Sequence, residues 1–405
     1  FNPFKFGIVG GSDSHVTAVP YRQKNFFGVH GTADDTIEKR MSGTEVLDLN
    51  SLWVSPAALS AVWAENNNRE SIFAGMKRKE AYSTSGTRIT LRFFGGWDYD
   101  SQSLDDTDWV KHAYAKGVPM GGDLPARTTS GAPTFAIWAA RDPDAANIDR
   151  VQVIKGWSIN GQSFEKIYDV VWAGDRKPDP ESGKVPAIGS TVDLKTGEFT
   201  NTQGSPQLKT VWTDPDFDPA IDAFYYARVL EIPTPRWSTM QAAELGMQPP
   251  SGKGYTAIIQ ERAWSSPIWY SADEKARAAA PSGLRVAELE KQGARALNED
   301  ELQWLVVGHT LQVDNKVSGQ RFEILYGTEG RRVITSVDGE PASTAAMAEL
   351  MHGGTANYKI EGSHLTTDLN GTPLEIMVYQ LGEKYLAAKR DEYGFVNYEV
   401  TQLEK

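Results

Sequence analysis

Apolar and polar positions change their period along the chain, and the changes divide it. Phe6 to Val9 form a short apolar run that reads as a buried strand, ending in the polar cluster Gly10-Gly11-Ser12-Asp13-Ser14-His15. Asn67 and Glu70 have capping-box spacing ahead of Ile72, Phe73 and Met76, which share one helical face. Lys77, Arg78 and Lys79 follow in the last turn, where cations suit the helix dipole. After Gly86 the period falls to two. Ile89, Leu91 and Phe93 alternate with Thr90 and Arg92, and Tyr225 to Glu231 repeat the alternation. Turn chemistry at Gly117-Val118-Pro119, Arg141-Asp142-Pro143-Asp144, Ile159-Asn160-Gly161 and Lys195-Thr196-Gly197 separates short strands at the spacing of an antiparallel sandwich. Residues 271–297, broken by Pro281 and Gly283, read as a helical or extended linker. Beyond it Phe322, Ile324 and Tyr326 alternate, Ala342 to His352 fit a helix, and Tyr358–Ile360, Leu374–Tyr379 and Tyr385–Lys389 make a meander.

Composition narrows the class. With 405 residues, of which 40% are hydrophobic and 23% charged, the chain has room for two to four domains of roughly 100–200 residues. Its 12 Trp, 15 Tyr and 15 Phe supply aromatic mass for real cores, which sets disorder aside. The net charge of −12, with no Lys/Arg cluster, gives no phosphate-tracking surface, so a nucleic-acid partner is not expected. Cysteine is absent, which removes disulfides, thiol nucleophiles and Cys-ligated metals. No apolar run is long enough to span a membrane. The chain opens on Phe1 with an apolar run already under way, so it is expected to begin inside a domain whose upstream segment is missing.

The sharpest chemical feature is Asp13-x-His15 at the end of the first apolar run. Residues two apart on an extended backbone project to one side, and a carboxylate beside an imidazole suits Zn, Mn or Fe. The plainer alternative has Asp13 capping a helix and His15 capping a turn. Arg88, Arg228, Glu231 and Arg236 are candidates for gripping an anionic substrate, against the alternative of structural ion pairs. His30, 15 residues beyond His15, is a possible further ligand but reads as a surface histidine. His112, His309, His352 and His364 have no partners at ligand spacing. Asp214, Asp216 and Asp218 begin like a calcium loop, yet Pro219 and Tyr225 occupy the positions of its glycine and closing glutamate, so a turn is expected. No nucleophile elbow, P-loop or H-E-x-x-H is present, and no catalytic residue is assigned.

Several stretches in order carry a family resemblance. Phe4–His15, Val62-Trp63-Ala64-Glu65-Asn66, Arg69–Phe73 and Tyr82–Ile89 resemble consecutive segments of DUF3604 proteins. So do Arg92–Trp97, Gly117–Pro125, Lys155-Gly156-Trp157, Val211–Pro215, Phe224–Trp237, Gln260–Trp264 and Ser266–Tyr270. The resemblance spans about residues 1–270. That family is similar to the PHP metallohydrolases, whose distorted α/β barrel holds two or three metals, and its GSDSH-like stretch maps onto Asp13 and His15. The resemblance implies a divalent-metal hydrolase of phosphoester, carboxylester or carbamate bonds acting on a small molecule, in a periplasmic or secreted setting. Its early ligands would lie upstream of Phe1, leaving this chain with part of a site. The fold expected is therefore α+β: residues 1–90 a remnant of a PHP-like barrel, 91–270 an antiparallel β-sandwich, 271–297 a linker and 298–405 a small β-meander domain. The alternative function is a non-catalytic binding or accessory module built on the sandwich.

Overall fold

A computed structural model of the protein describes the whole chain except residues 1–3, 16–19, 32, 44, 47–48, 57, 128–129, 253–254, 274–275, 277–282, 339–354, 370–371, 392–393 and 404–405. The helix expected from Ala342 to His352 lies outside the described residues. The chain is mixed, with few helices and many strands, and it divides into two units. The first comprises Phe1–Lys155 and Ile167–Ser271, the second Gly156–Lys166 and Ala272–Lys405.

The first unit is built on two antiparallel sheets. One has four strands in the order Gln207–Thr213, Thr134–Ala140, Thr90–Gly96 and Gly117–Pro119. The other runs Leu59–Val62, Ala81–Thr84, Arg262–Ser265, Ala223–Glu231, Ile148–Ile159 and Gln162–Trp172, with Ile268–Tyr270 also paired to Ala223–Glu231. The period-two segments fall where alternation predicts. Leu91 and Phe93 are fully buried in the smaller sheet, and along Ala223–Glu231 buried and half-buried residues alternate throughout. The sheets meet through aromatic rings: Phe135, stacked on Phe93 of its own sheet at 5.4 Å, lies 4.6 Å from Tyr225 of the other. Strand pairing runs across the expected division at residue 90. Thr84 is opposite Ala263 and Leu59 is opposite Thr84, so the strands before residue 90 share a sheet with strands well beyond it.

The first apolar run is not a buried strand. Lys5–Gly10 forms no ladder, and Phe6 and Val9 are 57% and 66% exposed. The segment lies extended over small polar residues. The Ile8 amide donates to Ser266 Oγ at 2.9 Å, and Gly10 exchanges hydrogen bonds with Ser60 Oγ. A Cβ at Gly10 would collide with Ser83 Oγ, so glycine is what lets the backbone come this close. Phe6 and Val9 consequently stay exposed, while Ile8 is half-buried.

The second unit is a closed barrel. Eight strands follow one another as an antiparallel meander: Thr310–Asn315, Arg321–Tyr326, Arg331–Asp338, Thr355–Glu361, His364–Leu369, Thr372–Leu381, Lys384–Lys389 and Val396–Leu403. The last pairs with the first, Thr310 opposite Leu403, and that pairing leaves no free edge. The helix Glu299–Val306 is held by a capping box between Asn298 and Glu301, and its Leu302, Leu305 and Val306 join Leu311, Tyr326, Leu365, Val378 and Val400 in one core. Part of the expected linker has structure of its own. Arg295–Ala296 pairs with Thr372–Leu381, and Leu289 of the helix Val286–Lys291 is fully buried.

Candidate functional site

Beyond Gly10 the chain turns at Asp13, whose φ of 52° places it in the left-handed region that short polar residues tolerate best. Two residues on, the His15 amide donates to the Val29 carbonyl at 2.8 Å, tying this turn to a second loop. That loop is held from within. The Asp34 carboxylate accepts the amides of Val29 and His30, both at 2.8 Å. Gly28, at φ 107°, passes so close to Asp34 that a side chain would clash with its carboxylate. Arg40 donates to the carbonyls of Phe27 and Asp34, and Gln241 on the helix Trp237–Glu244 accepts from Arg40 Nε and donates to Phe26.

This framework brings Asp13, His15 and His30 together. Asp13 Oδ1 stands 3.6 Å from His15 Nε2, with the Asp13 side chain fully exposed and that of His15 half exposed. The rings of His15 and His30 lie 4.2 Å apart between centroids, tilted by 38°. Both ring nitrogens of His30, and the Ser14 hydroxyl, are buried without a hydrogen-bond partner. His30, read from the sequence as a surface histidine, is partly exposed but has both ring nitrogens turned out of solvent. Spacing from His15 was its only signal in the sequence, and spacing does not report which way a loop folds back.

Two donors on one ion, each bonded at about 2.1 Å, stand roughly 3.0–3.4 Å apart. The Asp13–His15 separation of 3.6 Å lies just outside that range. Among the described residues no three His, Cys, Asp or Glu side chains converge to hold a metal ion as they stand.

The other predicted residues are engaged elsewhere. The Arg88 amide donates to Asp142 Oδ2 at 3.0 Å, and its exposed guanidinium lies over the Tyr21 ring at 4.7 Å. Arg228 Nε donates to Gln152 Oε1 at 2.8 Å. Arg236 is buried, donating to the Val54 carbonyl at 2.7 Å, and burial pulls its pKa below the ordinary value. Glu231 is completely buried, and neither of its oxygens makes a hydrogen bond of normal geometry, although the Thr87 hydroxyl and the Ala146 amide approach the carboxyl. Burial raises its pKa to about 8, with the charges of Glu261 and Asp142 adding to the rise; the Thr87 hydroxyl and the Ala146 backbone offset it only in part.

Around Glu231 lies a polar group that pattern reading missed. Glu261 is buried, accepts Gln23 Nε2 at 2.9 Å and the Ser85 hydroxyl, and is likewise pushed up by burial. Gln23 Oε1 in turn accepts the Trp237 amide. Elsewhere in the same unit the Asp214 turn is closed by a lysine. Lys155 Nζ bonds Asp214 Oδ2 and the Asp216 carbonyl, each at 2.7 Å, while Tyr225 donates to Asp214 and Tyr168 to Asp216. The lysine, the two tyrosines and the Ala220 amide, which donates to Asp218, engage the three carboxylates of this D-x-D-x-D turn.

Residues 1–272 match the family described as "Protein of unknown function (DUF3604)". The chain belongs to the DUF3604 family. The match covers the first unit and the 156–166 stretch, and it ends where the second unit's long segment begins. No curated protein and no solved structure matches the DUF3604 chain. No described helix is long and apolar enough to cross a membrane.

Proposed function

We propose that this DUF3604 protein is a metal-dependent hydrolase related to the PHP enzymes, cleaving phosphoester, carboxylester or carbamate bonds, with Asp13 and His15 as two ligands of a Zn, Mn or Fe ion. The carrying observation is the 3.6 Å approach of Asp13 Oδ1 to His15 Nε2 on a turn whose backbone is held left-handed at Asp13. Strained backbone at a polar, solvent-facing turn is a recurrent mark of functional sites. A bound divalent ion supplies an activated water and polarises the scissile oxygen. Asp13 and His15 would hold the ion, and the His15–Val29 hydrogen bond ties the second loop to them. Of the four residues considered for substrate, Arg88 is the exposed one, so an anionic group has its guanidinium within reach from solvent.

The test is elemental analysis of the purified chain by mass spectrometry, beside an Asp13→Ala/His15→Ala double variant. Near-stoichiometric Zn, Mn or Fe in the parent, lost in the variant, is the expected result, and it directs a screen of phosphoesters and carboxylesters. A parent that neither retains nor takes up a divalent metal sinks the proposal.

A further inference from the structure

We infer that His30 is a third protein ligand of the Asp13–His15 site, an inference that rests on the metal reading above and gives it a specific geometry. Three observations carry it. The first is proximity: the His30 ring lies 4.2 Å from that of His15, on a loop joined to His15 by the Val29 hydrogen bond. The second is an unmet need. Both His30 nitrogens are buried and make no hydrogen bond, as is the Ser14 hydroxyl between the two predicted ligands. A buried neutral imidazole has one donor and one acceptor to satisfy, and leaving them unpaired is costly. An ion bound by one nitrogen meets the acceptor's need directly. The third is that the loop is built to hold one conformation. Asp34 fastens the His30 and Val29 amides, Gly28 takes a backbone angle that other residues avoid, and Arg40 ties the loop's carbonyls together. This much construction around an imidazole with no partner resembles the outer shell that orients a metal ligand.

The rings as they stand are stacked rather than convergent. Two imidazoles bound to one ion at about 2.1 Å have centroids on the order of 4.6–5.3 Å apart. Ligation therefore asks the His15 and His30 rings to open by roughly half to one ångström, a side-chain rotation that leaves the Asp34-fastened backbone in place. Asp13, His15 and His30 would then supply one carboxylate and two imidazoles to the ion.

Zinc and manganese titrations by isothermal calorimetry on the full chain test this, comparing the parent with His30→Ala and His30→Phe. The phenylalanine variant keeps a flat ring against His15 while removing both nitrogens, so it separates ligation from packing; thermal unfolding reports whether each variant is folded. The expected result is one equivalent bound by the parent and affinity lower by about a hundredfold in His30→Phe, with His364→Ala unchanged. A folded His30→Phe that binds as tightly as the parent overturns the role of His30 and leaves the Asp13–His15 reading standing. A parent that binds neither metal overturns both.

Discussion

At the scale of single residues, Glu231 shows how burial without a partner becomes a pH dependence. Its folded pKa of about 8 stands above the ordinary carboxylate value, so the fold holds its proton at neutral pH. A group raised in this way contributes its full stability below the unfolded pKa, and that stability drains away as pH rises through the folded value. Glu231→Gln, which imitates the protonated acid, is therefore expected to match the parent near pH 5 and to exceed it progressively up to pH 9, by on the order of a few kcal/mol. Urea unfolding at stepped pH checks this, and a gap between variant and parent that stays flat across the range contradicts it. Little of this was legible beforehand. The alternating pattern put Glu231 at the end of a strand, but a pattern assigns faces and does not say that Glu261 and Asp142 gather on the same side. Asp13 and His15 do come within 3.6 Å of each other, but on a turn with Asp13 left-handed rather than on the extended backbone that the spacing suggested.

At the scale of elements, the helix Arg69–Lys77 was legible within one residue. The sequence suggested Asn67 as the cap, whereas in the structure Asn68 accepts the Ser71 amide at 2.8 Å. Asn68→Ala is expected to cost about 1 kcal/mol and Asn67→Ala close to nothing. Thermal unfolding of the two variants decides the register, and equal losses would place the cap wrongly. The face predicted from Phe73 and Met76 is a different matter, since they are 65% and 54% exposed. Periodicity finds a stripe and is silent about what covers it. The run Phe6–Val9 failed in the same way: its composition reads as a strand, but its neighbours are the serine hydroxyls at 60 and 266 rather than a ladder. Strands with a strict period of two fared best, because a half-buried sheet face imposes that period directly.

At the scale of the whole molecule, the sequence signalled strands in the last hundred residues but not their closure. Closure depends on Val396–Leu403 finding Thr310–Asn315, a pairing between the two ends of the meander that no local window contains. Removing the chain from residue 396 onward is expected to expose Lys384–Lys389 and Thr310–Asn315 as open edges and to drive self-association. Light scattering on the purified truncated chain reports it, and a monomer of unchanged stability would show that the final strand is dispensable. The family match, ending at residue 272, likewise leaves this second unit to be understood from its own geometry.

That end-to-end pairing also carries a kinetic consequence. Seven of the eight strand pairings join neighbours in the chain and form at little loop-closure cost, while the eighth waits for nearly the whole unit to be in place. Such a distant contact raises the contact order and slows the final step relative to the hairpins that precede it. During synthesis, the barrel stays an open sheet until Val396–Leu403 emerges, so its exposure to wrong partners lasts until that strand is out.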